Sequence, residues 1–202
     1  MSWLPWLAGA YLLGAFPTSF VAGKLARGID LRAHGSKNLG ATNVFRMLGW
    51  KYAVPVALVD VAKGAVPVAW FGAWSGLGAA WAAAFGATAV LGHMFSPFVG
   101  FKGGKGVATA AGMFLALAPL AVAIALPVWG LCLWLTGYVS VSSMVASVTF
   151  PVWVRLTEPL AQPAFYASLA LAALIVFSHR ANIRRLFAGT ESRFRTRKEI
   201  PA

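Results

Sequence analysis

The chain has 202 residues, 59% of them hydrophobic and only 11% charged, with a mean hydropathy of +0.74. A soluble domain of this length needs more charge than that to cover its surface, so a water-soluble globule is excluded. Seventeen Lys and Arg stand against five Asp and Glu, a net charge of +12. In a soluble protein that surplus would point to nucleic acid. Here the basic residues alternate with long apolar runs, which points to a membrane and leaves nucleic acid no role. The lone cysteine, Cys132, lies in the apolar run Leu131–Leu135 and reads as packing.

A spanning helix needs about 20 mostly apolar residues. In chain order the candidate runs are Trp3–Ala22, Tyr52–Phe71, Ala79–Val99, Val107–Thr136, Met144–Val154 and Ala164–Phe177. The first has no basic leader and no small-x-small cleavage site, so it is expected to stay as a span. Lys24–Lys51 carries six basic residues, Lys102–Lys105 two, and the tail after Ser178 seven: Arg180, Arg184, Arg185, Arg193, Arg195, Arg197 and Lys198. Only Lys63, within the second run, and Arg155, near Glu158, fall elsewhere. Basic residues near span ends remain cytoplasmic, which puts these three stretches inside and the N-terminus outside, and requires an odd number of crossings.

The run Val107–Thr136 holds Pro119 and Pro127. Read as two short helices, it gives seven crossings and returns Gly137–Ser143 to the cytoplasmic face. Read as one, it gives five and leaves that segment outside. Spacing does not choose between them. The expected fold is therefore an all-α, polytopic transmembrane bundle forming one domain over residues 1–202, with seven spans (five as the fallback) and a cytoplasmic C-terminus.

Three polar stretches share the basic face. From His34 to Arg46 the chain offers Ser36, Asn38, Thr42 and Asn43, the cations Lys37 and Arg46, and two glycines, Gly35 and Gly40. Glycines permit positive φ and close approach of backbone to a ligand, and successive N–H groups form an anion-binding concavity. Arg46 can hold a phosphate bidentately. The bland alternative is an ordinary cytoplasmic turn.

From Phe101 to Thr109 the chain presents Lys102, Gly103, Gly104, Lys105 and Gly106. It is not a P-loop, because Lys105 is followed by Gly106 and Val99 stands where the first glycine belongs. Glycine N–H groups and a lysine still suit a phosphate. The third set is split between Gly137–Ser143, with three serines, and His179–Glu191, where His179 and Asn182 share a face if the tail begins helically. His93 is expected to be structural, and Asp60 and Lys63, mid-span at i, i+3, are expected to pair with each other. No carboxylate or Cys/His cluster with metal-ligand spacing is visible, so no metal and no cofactor is expected.

Together the stretches Gly35–Arg46, Phe101–Thr109 and His179–Glu191 closely resemble the bacterial acyl-phosphate:glycerol-3-phosphate acyltransferases, and the likeness extends back to Gly14–Thr18. The resemblance implies transfer of a fatty acyl group from acyl phosphate to the 1-hydroxyl of sn-glycerol 3-phosphate, yielding lysophosphatidic acid and phosphate. It also implies a seven-span bundle in the bacterial inner membrane, an active site on the cytoplasmic face, membrane lipid around it, and an acyl-phosphate-supplying enzyme as partner.

By matching position, Ser36, Asn38, Gly40, Thr42, Asn43 and Arg46 are implied substrate residues. Lys105, with Gly103, Gly104 and Gly106, is the implied glycerol-3-phosphate loop. Ser143, His179 and Asn182 form the third set, with His179 the candidate base, helped by Asn182, and Glu191 is implied to be structural. Two positions depart from the pattern: Lys37 stands where many members have Gly, and Ala181 where many have Glu. Other glycerolipid acyltransferases use His-x-x-x-x-Asp, but Leu39, Phe98 and Arg184 occupy the fifth position after the three histidines. The alternative from another class is a transporter of an anionic phosphate ester. Transporters place their sites near the midplane, whereas these motifs gather at one face.

Overall fold

The computed structural model describes residues 2–194, so the expected cations Arg195, Arg197 and Lys198 lie outside the described residues. Among the described residues the regular structure is entirely helical: α1 (Leu4–Ala15), α2 (Thr18–Arg27), α3 (Ala41–Leu48), α4 (Trp50–Val66), α5 (Gly72–Ser75), α6 (Ala79–Met94), α7 (Val107–Leu117), α8 (Pro119–Thr136), α9 (Val139–Thr157), α10 (Gln162–Ser178) and α11 (Arg180–Phe187). A π-helical stretch, Pro67–Phe71, joins α4 to α5, and a 3₁₀ turn, Pro97–Val99, follows α6.

Five segments are long and apolar enough to cross a bilayer: Leu4–Arg27, Trp50–Ser75, Ala79–Val99, Pro119–Thr136 and Val139–Thr157. The helix α7 is apolar but shorter, and α10 continues into α11 through a 51° bend. The chain is a multi-pass membrane protein.

Prolines set the breaks. The residue before a proline is pushed out of the α region, and Pro itself lacks an N–H. Phe16 accordingly leaves helical geometry (ψ 119°) and separates α1 from α2. Ala118, before Pro119, adopts φ −150°, ψ 66°, and divides the run Val107–Thr136 into two helices. Pro127 stays inside α8, as spans tolerate when neighbours satisfy the freed backbone.

The segment Gly137–Ser143, which separates two of the apolar runs, is mostly helical. Gly137 (φ +76°) ends α8 and α9 starts two residues later, so all three serines lie on its first two turns. Ser142 Oγ bonds back to the Tyr138 carbonyl at 3.0 Å, which satisfies its hydroxyl on the helix's own backbone rather than capping the helix.

Small residues bring helix backbones together, as is common where lipid offers no hydrophobic drive between helices. A Cβ on Gly14 or Gly92 would collide with the facing backbone across the α1–α6 seam, and one on Gly64 or Gly112 would do so across α4–α7. Buried Val90, Met113, Phe114 and Leu171 form the core among α6, α7 and α10, and a second cluster of Leu31, Leu39, Val44 and Met47 lies under the first loop.

The expected pairing of Asp60 with Lys63 is present at 2.7 Å, with both side chains buried. Lys63 also donates to the Phe16 carbonyl at 2.8 Å and to Thr18 Oγ1 at 3.2 Å. At the Pro17 break the Phe16 carbonyl accepts from the Thr18 N–H at 3.0 Å as well, so Lys63 ties the break to α4. His93 Nδ1 lies 3.2 Å from Lys63 Nζ, so this histidine belongs to the same interhelical knot.

Three distant parts of the chain meet at one end of the bundle. Arg46 Nη2 donates to the Ser192 carbonyl at 3.0 Å, Ser140 Oγ to Glu191 Oε1 at 2.8 Å, and the Phe194 N–H to the Gly137 carbonyl at 2.8 Å. Stacking of Phe45 on Phe194 at 5.0 Å adds to this seam.

Candidate active site

A cavity of about 480 Å³ opens where the first loop, the second loop, the start of α9 and the α10–α11 bend converge. Its polar end is lined by Ser36, Asn38, Gly40, Thr42, Asn43, Arg46, Lys105, Gly106, Ser140, Ser143, His179, Asn182 and Glu191. From there it runs between α7, α8, α9 and α10 along apolar walls that include Phe114, Val122, Leu126, Trp129, Phe150 and Leu171. Along α10, Ser168 and His179, just past the helix end, both line the cavity, a rise of about 16 Å at 1.5 Å per residue. A charged head and a long apolar body would both be matched here.

Helix starts contribute to the polar end. The first residues of α3 (Ala41, Thr42), of α7 (Val107, Ala108) and of α9 (Val139, Ser140) line the cavity, and none of these helices has a side-chain cap. Uncapped first-turn N–H groups and the positive end of the helix dipole suit an anion.

Two cations sit among them. Arg46 is buried, and among the described residues its Nε has no hydrogen-bond partner. An unpaired buried guanidinium donor is costly, and a phosphate oxygen would remove that cost. Lys105 donates to Asn182 Oδ1, and burial lowers its pKa from the ordinary lysine value to about 8, with the neighbouring Arg185 and Arg46 also lowering it and Glu191 opposing.

Behind them, Asn182 Nδ2 donates to Glu191 Oε1 at 2.6 Å, and Arg185 Nε donates to Glu191 Oε2 at 2.6 Å. Burial alone would raise the Glu191 pKa, but hydrogen bonds from Asn182, Ser140 and Arg185 hold it below its ordinary value. This ionised carboxylate therefore ties the start of the tail to α9 and α11 and fixes the amide that Lys105 uses. The His179 ring lies at the α10–α11 bend, where Nδ1 donates to the Ile175 carbonyl at 2.8 Å. That assignment leaves Nε2 as the acceptor nitrogen.

Several expected residues occupy positions that change their reading. Asn43 lines the cavity, but its amide is engaged by the first loop itself: Oδ1 accepts the Ser36 N–H at 2.8 Å, and Nδ2 lies 3.1 Å from the carbonyls of Leu31, His34 and Asn38. It shapes the loop. Gly103 and Gly104 are not on the cavity wall, and their N–H groups donate to the Met94 and His93 carbonyls at 3.0 and 3.1 Å. A Cβ on Gly104 would run into the His93 ring and the Leu39 carbonyl. These two glycines let the loop lie flat on the end of α6 rather than offering N–H groups to a ligand. The first loop is held against the same place, since Arg32 pairs with Asp30 at 2.7 Å and donates to the Val99 carbonyl at 2.8 Å.

The chain's similarities are consistent along nearly all of its length. A family model described as glycerol-3-phosphate acyltransferase matches residues 4–189. Curated proteins of that name are similar: one from Chlorobaculum parvum is 42% identical, covering 96% of this chain and 97% of that protein. One from Trichlorobacter lovleyi is 45% identical, covering 94% and 96%. The chain belongs to the glycerol-3-phosphate acyltransferase family. Two crystal structures of the family member PlsY (YgiH), an integral membrane enzyme, superpose on it. The glycerol 3-phosphate form has a TM-score of 0.88 at 38% identity over 96% of both chains. The lysophosphatidic acid form has a TM-score of 0.84 at 39% identity, covering 96% of this chain and 95% of that one.

The two departures from the family's sequence pattern have visible settings. Lys37 has φ +58°, in the left-handed region where a Cβ is unfavourable by about 1–2 kcal/mol and Gly is not. Lys37→Gly should therefore raise thermal stability in detergent, by about 0.5–1 kcal/mol once the added backbone entropy of Gly is set against the relief. Equal or lower melting temperature in a thermal scan would refute the strain argument. Ala181 is exposed on α11, so the cavity is unaffected by what stands there.

Arg185, in sequence one of seven tail cations with nothing to set it apart, is half of the Glu191 ion pair. Trp129 also lines the cavity and bonds Ser143 at 3.3 Å. A tryptophan inside an apolar run carries no sequence signal that separates a cavity wall from a lipid-facing side.

Proposed function

We propose that the protein transfers a fatty acyl group from acyl phosphate to the 1-hydroxyl of sn-glycerol 3-phosphate, releasing lysophosphatidic acid and phosphate. The observation that carries this is the cavity itself: three stretches far apart in sequence supply cations, hydroxyls and free helix N–H groups at one end, and apolar helices line the rest. The names of the relatives and the two ligand forms of PlsY support the acceptor and the product. The acyl phosphate donor fits a site with several positive groups, since both substrates carry phosphate.

Acyl phosphate is a mixed anhydride, so no covalent enzyme intermediate is needed. The 1-hydroxyl oxygen attacks the acyl carbon, the bond from that carbon to the phosphate oxygen breaks, and the phosphate leaves with the bonding pair. Arg46 and Lys105 hold phosphate charge. Ser36, Asn38, Thr42, Ser143 and the first N–H groups of α3 and α7 face the oxygens on which charge develops. His179 Nε2 takes the hydroxyl proton. The acyl chain lies along Phe114, Leu126 and Leu171, and exposed Leu126 marks the side on which it joins the bilayer.

Counting α7 and α10 with the five longer spans gives seven crossings in a single domain over residues 1–202. The contacts of Gly137 and Ser140 with the tail, and of Arg46 with Ser192, favour this count, because five crossings would put Gly137–Ser143 on the opposite face. With basic residues inside, the N-terminus is external and the site opens to the cytoplasm of a bacterial inner membrane. An enzyme that supplies acyl phosphate is the implied partner.

The test uses purified protein in detergent with palmitoyl phosphate and glycerol 3-phosphate, without acyl-CoA or added metal. Phosphate release that depends on both substrates supports the reading, and release that ignores glycerol 3-phosphate defeats it.

A further inference from the structure

The three serines at the start of α9 differ in where their protons go. Ser140 Oγ donates to Glu191 Oε1 at 2.8 Å, and Ser142 Oγ donates to the Tyr138 carbonyl at 3.0 Å. Ser143 instead receives a hydrogen bond, from Trp129 Nε1 at 3.3 Å. An indole N–H can only donate, so this contact occupies a lone pair of Ser143 and leaves its O–H proton uncommitted. Among the described residues no acceptor takes that proton. Ser143 is 3% exposed, and it lines the cavity with Lys105 and His179. A buried hydroxyl with no acceptor is unfavourable unless a ligand supplies one.

The source of the contact is the α8–α9 hairpin. Gly137 (φ +76°) reverses the chain, so Trp129 on α8 comes to lie beside Ser143 on α9. Trp129 lines the cavity together with apolar Leu126 and Phe150, and its N–H is the atom that reaches Ser143.

We propose that Trp129 is a positioning residue: by filling a lone pair of Ser143 it turns the Ser143 O–H toward a substrate oxygen at the reacting end, on phosphate or on the acyl carbonyl. This rests on the acyl-transfer reading above. The competing role for Trp129 is a plain wall for the acyl chain.

A double-mutant cycle separates the two, measured as kcat/KM with acetyl phosphate and with palmitoyl phosphate. In the Ser143 background, Trp129→Phe should lower kcat/KM by about 3- to 10-fold with both donors, the loss of one neutral hydrogen bond. Ser143→Ala should lower it by about 10- to 100-fold, the loss of a donor to a charged group. In the Ser143→Ala background, Trp129→Phe should have no further effect beyond about twofold. Replacing Trp129 by 3-benzothienylalanine, which keeps the ring shape and lacks the N–H, should reproduce the Trp129→Phe loss, and it guards against a packing defect in the smaller variant.

Losses that multiply in the double variant, a loss confined to palmitoyl phosphate, or a fully active benzothienyl variant would each overturn the proposal. Wild-type protein inert with both donors would sink the acyl-transfer reading and this proposal with it. An active wild type with multiplicative losses would sink this proposal alone.

Discussion

Lys105→Met should lower kcat/KM by about 10²–10³-fold, the usual effect of removing one preorganised donor from the site of developing charge. Lys105 is placed for that role by burial, by its bond to Asn182 and by the Glu191 carboxylate behind the amide. The same burial gives the loss a pH signature. With its pKa lowered to about 8, Lys105 in the free enzyme is charged below that pH and neutral above it. Binding of a phosphate dianion needs the charged form, so kcat/KM should fall about tenfold per pH unit above pH 8. Bound phosphate favours the charged lysine, so the corresponding limb of kcat should lie at higher pH, because kcat reports the substrate complex. Lys105→Arg keeps a cation that stays protonated throughout and should flatten the alkaline limb between about pH 8 and 10, even if its larger head lowers the maximum. An alkaline limb unchanged in Lys105→Arg would show that another group titrates there, and Lys105 would lose its assigned role.

The stretches carrying the site were legible because their composition exceeds what membrane topology demands. Glycines, amides and cations packed into Gly35–Arg46 and Phe101–Thr109 have no reason to be there on a plain cytoplasmic turn. Direction was not legible. Asn43 and Asn38 look alike in sequence, yet the Asn43 amide is turned onto four backbone groups of its own loop. Gly103 and Gly106 look alike too, but Gly103 lies against the α6 carbonyls, while Gly106 stands at the mouth of α7 with φ +83°. The break at Ala118 was signalled by Pro119, but length alone could not say that the chain uses it. That Ser140, Ser142 and Ser143 stand on the first turns of a helix was not legible either, because period and hydropathy report burial, and a helix start that borders a polar cavity is not buried in lipid.

His179→Gln is the second large perturbation and decides between two proton acceptors. If Nε2 of His179 takes the proton of the 1-hydroxyl, the variant should lose about 10²–10⁴-fold in kcat, with KM for glycerol 3-phosphate little changed, because general-base help appears only in the transition state. The geometry favours this version. The Ile175 carbonyl accepts the Nδ1 proton at 2.8 Å, which holds the neutral ring in the tautomer whose free nitrogen can accept. Among the described residues no hydrogen bond joins Asn182, one turn further on, to His179. Asn182 bridges Lys105 and Glu191, so Asn182→Ala should resemble a weakened Lys105, raising KM and distorting the alkaline limb, rather than resemble His179→Gln. The rival acceptor is a phosphate oxygen of a substrate, which needs no protein base. Near-normal turnover by His179→Gln with a flat pH profile would select that rival. The cavity would then act as a holder of two phosphates, with Arg46 and Lys105 as its main chemical contribution.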